Sequence, residues 1–218
     1  MNRLALFDCD GTLVDSHAAI GRAMDKCFAT HGLTPPDRAA TRRVIGLSLP
    51  HAIARLLPGG EPGLHDALTE SYKAAFQRHR ALGQVEEPLF DGIADALHAL
   101  EAAGWLLGVA TGKSDRGLRL CLERHGLHAR FVTLQTADRH PSKPHPAMLH
   151  AAAAEAGAAP ETTVMIGDTS FDMMMATAAG AHALGVAWGY HDPRELTAAG
   201  AAAVVETPGE LVAWMERL

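Results

Sequence analysis

The chain has 218 residues and a formal net charge of −6, and 48% of its residues are hydrophobic. This length suits one sizeable domain, or one domain that carries a smaller insert. The negative charge argues against a nucleic-acid surface, which would need clustered lysine and arginine. No apolar run reaches the roughly 18 residues of a membrane span. The scattered cysteines (Cys9, Cys27 and Cys121) predict buried thiols in a reducing compartment, so we expect a cytoplasmic protein.

The first predicted strand ends in two closely spaced acids. An apolar run at 4–7 leads into Asp8 and Asp10, and Gly11 then breaks the strand. Carboxylates at positions i and i+2 of an extended segment point the same way. Their mutual repulsion costs stability unless a cation or a shared proton offsets it. This pair of acids therefore indicates a site with a chemical role.

The segment that follows these acids is predicted to be helical throughout. Glycine and proline clusters divide it into four helices, at about 17–31, 37–45, 49–57 and 64–81, with no strand signal between them. Roughly seventy helical residues are too many for an ordinary connection between strands. We therefore predict an all-α cap domain at 16–88, inserted into a core domain made of 1–15 and 89–218.

From residue 91 onward, predicted helices alternate with short apolar strands. The strands are expected at 105–110, 131–134, 163–166, 182–187 and 202–205. The helices are expected at 91–104, from Ser114 to Gly126, and at 144–157, 170–180, 193–199 and 208–218. This alternation predicts an α/β core with a doubly wound, Rossmann-like parallel sheet covered by helices on both faces.

Polar residues gather at the ends of several predicted strands and at the start of one helix. Besides the acids after the first strand, they are Thr111-Gly112-Lys113, Ser142-Lys143-Pro144 and Gly167-Asp168-Thr169-Ser170-Phe171-Asp172. Ligands of open parallel sheets bind outside the carboxyl ends of the strands. We therefore expect these segments to converge on one site. Two simpler interpretations stay open, since Thr111 could cap a helix and Asp172 could be a first-turn acid favoured by the helix dipole.

In this order, the motifs resemble those of the haloacid dehalogenase superfamily. The matching segments are DCDGTLVDS at 8–16, TG at 111–112, SKP at 142–144 and GDTSFD at 167–172. The resemblance spans nearly the whole chain and is strongest to the phosphatase branch with a helical cap, in particular to phosphoglycolate phosphatases. It implies that Asp8 is a nucleophile that takes up the phosphoryl group as an aspartyl-phosphate. It implies that Asp10 is the general acid, and then the base that activates water.

The resemblance also implies a Mg²⁺ site made of Asp8, the backbone carbonyl of Asp10, and Asp168. Mg²⁺ suits oxygen ligands and commonly uses one or two carboxylates together with a substrate phosphate. If Asp8, Asp168 and Asp172 are all ionised, their three negative charges would repel a phosphate dianion. Mg²⁺ and Lys143 would together neutralise these charges, so we expect both to be required for binding the substrate.

The phosphate-binding residues implied by the resemblance come from two other motifs. Thr111, with the backbone N–H groups near Gly112, would hold the phosphoryl oxygens. Lys143 would contact both the phosphate and Asp8. Asp172 would sit just outside the metal ligands, where it would orient a metal-bound water or Lys143.

The predicted cap domain is expected to close over the site, exclude water and select the leaving group. Candidate residues are Arg42, Arg43 and the Gly46-Leu47-Ser48 turn. An arginine could pair with a substrate carboxylate, and we assign this role to Arg43. The simpler interpretation is an arginine on a solvated helix face. Hinges are expected near Asp15-Ser16 and Glu87-Pro88.

These inferences favour a Mg²⁺-dependent phosphatase, a monomer or a homodimer, that acts on a small phosphorylated metabolite such as phosphoglycolate. One alternative is a phosphomutase of the β-phosphoglucomutase type, although Ile20 stands where that group is expected to have a histidine. A true dehalogenase is disfavoured, because such members lack the second acid and Asp10 is present. A protein that binds a phosphometabolite without catalysis is disfavoured as well, because a binder needs no acid/base group at position 10.

Overall fold

The computed structural model describes residues 2–218, and its centre is a six-stranded sheet. The strands are β1 (Asn2–Phe7), β2 (Leu106–Thr111), β3 (Phe131–Thr136), β4 (Ala158–Gly167), β5 (His182–Val186) and β6 (Ala203–Val205). All neighbouring strands are parallel, in the order β3-β2-β1-β4-β5-β6. The prediction of a doubly wound parallel α/β sheet is therefore confirmed. Strand β1 lies in the middle of the sheet, between β2 and β4.

Ten α-helices accompany these strands within the described residues. The first four follow β1 and form a helical block: α1 (His17–Thr30), α2 (Arg38–Arg43), α3 (Leu49–Leu56) and α4 (Pro62–Ala81). The others are α5 (Ile93–Ala102), α6 (Asp115–Arg124), α7 (Ala147–Ala156), α8 (Ser170–Ala179), α9 (Pro193–Ala198) and α10 (Pro208–Met215). A short 3₁₀ turn, His128–Arg130, leads into β3.

The two faces of the sheet carry separate hydrophobic cores. In β1, Ala5 and Phe7 pack on the face covered by α5, α6 and α10, whereas Leu4 and Leu6 pack on the face covered by α7, α8 and α9. This alternation follows from the pleat of a strand, which points successive side chains to opposite faces. All four side chains are fully buried, as expected for a central strand of a parallel sheet.

Helices α1, α3 and α4 share a hydrophobic cluster of their own, and a second cluster joins the helical block to α8. The first consists of Met24, Cys27, Phe28, Ile53 and Leu68. The second consists of Val44, Leu47 and Ala52 from the helical block, packed on Phe171 of α8. The helical block thus packs as a unit and contacts the edge of the sheet where α8 begins.

The predicted start is wrong for one helix and for one strand. Helix α7 begins at Ala147 rather than at 144, because both Lys143 and His145 precede a proline, which disfavours the α conformation at the preceding residue. Strand β4 begins at Ala158, where its pairing with Asn2 precedes a shift in register, and not at 163. The start of α7 lies near the carboxyl edge of the sheet, four residues after Lys143, whereas the start of β4 lies at the opposite edge.

Two expectations from composition can be compared with the structure. All three cysteines are buried, and they form no disulfide within residues 2–218. In the same part of the chain, every helix is too short or too polar to cross a bilayer.

Candidate active site

Buried polar residues from four segments meet at the carboxyl edge of the sheet. Asp8, Thr111 and Asp168 follow or end the adjacent strands β1, β2 and β4, while Lys143 comes from the loop before α7 and Asp172 from the first turn of α8. Each of these five residues is at most 1% exposed. The strand order therefore gathers residues that are far apart in the sequence.

Lys143 forms the central ion pairs of this group. Its Nζ lies 2.9 Å from Asp8 Oδ1 and donates a hydrogen bond of 2.6 Å to Asp172 Oδ1. Burial alone would favour a neutral amine, but Asp172 and Asp8 outweigh it and raise the pKa of Lys143 above its ordinary value. The surroundings of Lys143 therefore favour a buried, charged ammonium group next to Asp8.

The second oxygen of Asp172 fixes the start of α8. Thr169 donates hydrogen bonds to Asp172 Oδ2 from its backbone N at 3.1 Å and from its Oγ1 at 2.7 Å. This reciprocal capping arrangement satisfies N–H groups at the helix N-terminus. Asp172 is thus a helix-capping residue and a partner of Lys143 at once. The two interpretations left open by the sequence, a first-turn acid and a residue that orients Lys143, are therefore compatible with each other.

Asp168 is held rigidly by its surroundings. Its Oδ1 accepts a hydrogen bond of 2.8 Å from Thr12 Oγ1, and its Oδ2 accepts one of 2.9 Å from the backbone N of Tyr190. Gly11 and Gly189 pack directly against it, because a Cβ on either would lie 2.2 Å or 2.1 Å from the Asp168 side chain. Gly11 also has φ +89°, which glycine adopts without strain.

The acid cluster fits a divalent cation. One oxygen each of Asp8, Asp168 and Asp172 lies within 4.8 Å of the others. Asp8 Oδ2 is buried and accepts no hydrogen bond from any of residues 2–218. Burial, together with repulsion from Asp172 and Asp10, raises the pKa of Asp8 to about 7 against the opposing effect of Lys143, and burial and Asp8 raise the pKa of Asp168. Carboxylate oxygens are donors that Mg²⁺ prefers, and a cation would relieve this repulsion.

Asp10 belongs to a separate chain of buried charges. Its Oδ1 contacts both Ser16 Oγ and Lys113 Nζ. Lys113 Nζ lies 3.0 Å from Glu87 Oε1, and Arg80 donates a hydrogen bond of 2.9 Å to Glu87 Oε2. Burial of Glu87 opposes ionisation, but Lys113 and Arg80 outweigh it and lower the pKa of Glu87. This chain links Asp10 to both segments that join the helical block to the sheet.

A cavity of about 610 Å³ opens beside Asp10, between the helical block and the sheet domain. The loop between α2 and α3 forms one wall and contacts two of the sheet-edge segments directly. Ser48 N donates a hydrogen bond of 2.9 Å to Ser142 Oγ, and a Cβ on Gly112 would lie 2.3 Å from the carbonyl oxygen of Leu47. The predicted Gly46-Leu47-Ser48 turn is therefore in contact with the site.

The two candidate arginines lie elsewhere. Arg43 Nη1 donates hydrogen bonds of 2.7 Å and 2.9 Å to the carboxylate of Glu195, and the Arg42 guanidinium lies 5.4 Å from the centre of the Tyr190 ring. Neither arginine lines the cavity beside Asp10. Arg43 instead lines a smaller cavity with Phe171 and His191.

Sequence analysis missed several residues that surround the site. Ser16 and Lys113 stand within predicted motifs, and Ser16 and Glu87 stand at predicted hinges, but the sequence predicts no individual role for any of them. The signal for Lys113 is its rarity, since the chain has only four lysines (Lys26, Lys73, Lys113 and Lys143). Tyr190 follows β5, whose carboxyl end reaches the same edge of the sheet, but no local pattern marks it.

Comparison with known proteins agrees with this geometry. A family model described as haloacid dehalogenase-like hydrolase matches residues 5–186. The chain is 38% identical over 215 residues to a Dickeya dadantii protein named probable phosphatase IndB, covering 97% of this chain and 93% of the relative. It is 35% identical over 199 residues to a phosphoglycolate phosphatase of Xylella fastidiosa, covering 89% and 85% of the two chains.

The fold is also that of solved structures. A hydrolase from Pseudomonas syringae superposes with a TM-score of 0.87 at 25% identity, over 100% of this chain and 99% of that one. The family match and the relatives of more than 30% identity identify this chain as a phosphatase of the haloacid dehalogenase-like hydrolase family.

Proposed function

We propose that the chain is a Mg²⁺-dependent phosphatase that hydrolyses a small phosphate monoester through an aspartyl-phosphate on Asp8. The observation that carries the proposal is the buried cluster in which Lys143 pairs with Asp8 and Asp172 while Asp168 stands close by. Phosphoryl transfer depends mainly on positioning and charge neutralisation, and this cluster offers both. The relatives named phosphoglycolate phosphatase support a substrate of this general kind.

In the proposed reaction, a carboxylate oxygen of Asp8 forms a bond to phosphorus as the bond from phosphorus to the leaving oxygen breaks. Asp10 donates its proton to that oxygen, so the product leaves as an alcohol. Asp10 then takes a proton from water, whose oxygen attacks the phosphorus, releases inorganic phosphate and regenerates Asp8. Dividing a slow hydrolysis into two steps through a covalent intermediate is a recognised catalytic route.

The remaining residues would hold the phosphoryl group and balance charge. Thr111 and the backbone N–H groups near Gly112 would bind the phosphoryl oxygens, and Lys143 would contribute a fixed positive charge. Asp8, the backbone carbonyl of Asp10, and Asp168 would hold Mg²⁺, which supplies charge neutralisation at the transferred group.

We further propose that 16–88 acts as a cap on a core made of 1–15 and 89–218. Two observations support this division. The helical block has its own hydrophobic cluster, and the two connecting segments run side by side. Asp15 N donates a hydrogen bond of 2.8 Å to the carbonyl of Pro88, and Val14 pairs with Leu89. A paired connection of this kind would let the cap open and close as one body.

The test is release of inorganic phosphate from p-nitrophenyl phosphate by the purified protein with and without Mg²⁺. We expect turnover that requires Mg²⁺ and stops when EDTA is added. A screen of small phosphate esters would then rank substrates, with phosphoglycolate and sugar phosphates included. Isomerised sugar phosphate instead of free phosphate would favour a phosphomutase. Mg²⁺-independent turnover, or none with any ester, would contradict the proposal.

A further inference from the structure

The cavity beside Asp10 is large and mostly apolar. Its volume of about 610 Å³ falls within the roughly 300–1,000 Å³ of pockets that enclose drug-sized ligands. The apolar side chains of its wall come from both domains: Ile20, Met24, Leu47, Tyr72, Phe76 and Leu120. The rings of Tyr72 and Phe76 stack on one another, with centroids 5.9 Å apart and planes inclined by 30°. A two-carbon leaving group is small enough to contact only a minor part of this apolar wall.

The cations nearest to Asp10 in this cavity both pair with Glu87, so Lys113 keeps an internal partner even when Asp10 carries the proton that it donates. Lys113 contacts Asp10 and lies 3.0 Å from Glu87, and Arg80 lies 2.9 Å from the other oxygen of Glu87. Both carboxylates are almost completely buried, so these pairs are weakly screened. A carboxylate on the leaving group would have to displace one of these internal acids. The other lysine and arginine of the cavity wall, Lys73 and Arg116, are exposed to solvent.

We infer that the substrate is a phosphate monoester whose leaving group carries an uncharged, apolar ring, rather than a two-carbon carboxylate. This inference rests on the proposed phosphatase function and adds the class of leaving group. The phosphoryl group would sit at Asp8, and the ring would extend past Asp10 into the cavity against Tyr72 and Phe76. Burying a ring there gains apolar contact without requiring an unpaired cation.

The test compares three esters that all release a primary alcohol: benzyl phosphate, ethyl phosphate and 2-phosphoglycolate. With the full-length protein and Mg²⁺, we expect kcat/KM for benzyl phosphate to exceed that for each of the others by about tenfold to a hundredfold. A ratio below about tenfold to either ester overturns the inference while leaving the phosphatase function intact. Failure to hydrolyse all three and p-nitrophenyl phosphate overturns the proposed function and this inference together.

Cavity variants provide a second measurement. Phe76→Ala and Tyr72→Ala should each lower the benzyl-to-ethyl ratio of kcat/KM about tenfold, mainly by raising KM for benzyl phosphate, whereas Tyr72→Phe should keep the ratio. The control is Leu82→Ala, just beyond α4, where the side chain is 63% exposed and does not line the cavity. An unchanged ratio in both alanine variants overturns the inference, and the wild-type ratios decide the matter if these variants do not fold.

Discussion

At Asp8, the protein raises the pKa of a carboxyl group that would have to be ionised to act as the proposed nucleophile. Burial is the largest cause, and the neighbouring acids Asp172 and Asp10 add to it, so that the pKa of Asp8 rises to about 7 although Lys143 opposes the shift. A buried carboxylate that lacks sufficient compensating charge is destabilising. The group therefore has a cost for the fold that only its chemistry explains, which is typical of functional sites.

The variant Asp8→Asn tests whether the carboxyl group of Asp8 is required for catalysis and destabilises the fold. The amide has nearly the same shape but cannot form an aspartyl-phosphate, so we expect kcat to fall by about 10⁴-fold or more. Thermal unfolding of the metal-free variant at pH 8 should occur at the same temperature as in the wild type or higher, because the repelled charge is gone. Phosphate release at a rate near that of the wild type would contradict the nucleophilic role.

Asp10 is expected to act through its side chain but to hold the metal through its backbone. Asp10→Asn should therefore lower kcat by about 10²–10⁴-fold, the usual contribution of a general acid or base. Its Mg²⁺ affinity, measured by calorimetric titration, should stay within about twofold of the wild type, because the backbone carbonyl is retained. A variant with weakened Mg²⁺ binding and a nearly normal rate would contradict this division of roles.

Glu87 offers a prediction about stability with a matched control next to it. Its fully buried carboxylate joins Lys113 and Arg80, and removing one partner of a buried ion pair typically costs about 3–5 kcal/mol. We expect Glu87→Ala to lower the free energy of unfolding by about this amount in urea titrations. Glu86→Ala, at an exposed position, should change it by less than about 0.5 kcal/mol. Equal effects of the two substitutions would show that the buried pairs contribute little.

At the scale of elements, the hydrophobic periodicity of the sequence predicts the strands and helices, because these depend on local pattern. The alternation of Leu4 and Leu6 with Ala5 and Phe7 is a local property of the chain, and so is the run of apolar strands and helices that follows residue 91. These patterns are sufficient to predict the parallel sheet. The predicted start of α7 is too early because proline is tolerated in the first turn of a helix, which places Pro144 and Pro146 inside the element, whereas the helix begins only after both prolines. The pairing of Lys113 with Glu87 and Asp10 depends on three segments meeting in space, which no local pattern encodes.

The contact between the α2–α3 loop and the turn after β2 gives a prediction at this scale. A Cβ on Gly112 would lie 2.3 Å from the backbone oxygen of Leu47, so Gly112→Ala must displace one segment from the other. Displacement of about 1 Å near a catalytic centre can cost roughly 10²-fold in rate. We therefore expect kcat/KM to fall at least about tenfold. Gly63→Ala, in the first turn of α4 with no atom within 4 Å of the added Cβ, should leave kcat/KM unchanged and controls for the methyl group itself.

The protein contains two buried groups of charged residues, one around Asp8 and one that includes Asp10. Around Asp8, carboxylates outnumber the one ammonium group. The chain that includes Asp10, Lys113, Glu87 and Arg80 has two cations for two acids whenever Asp10 is ionised. The first group would need the proposed metal ion for balance, whereas the second has cations supplied by the protein. Metal addition should therefore act on the stability of the fold through the first group.

The sign of this effect depends on pH. Asp8 has a folded-state pKa of about 7, raised above its ordinary value of 3.8, so it favours folding most below pH 4 and this contribution is lost as the pH rises through 7. In the metal-free protein, ionisation of Asp8 should therefore lower the free energy of unfolding between pH 5 and pH 8. Bound Mg²⁺ should offset this loss. At a Mg²⁺ concentration about 100 times its Kd at pH 8, binding should add about 2.7 kcal/mol, or roughly 5–10 °C in Tm. At pH 5 the same Mg²⁺ concentration should raise Tm by less than half as much, because protons compete for the carboxylates.

Differential scanning fluorimetry at both pH values measures the two shifts in Tm. Asp168→Asn is the variant that should lose most of the shift at pH 8. Equal shifts at pH 5 and pH 8 would mean that Mg²⁺ binds somewhere other than this acid cluster.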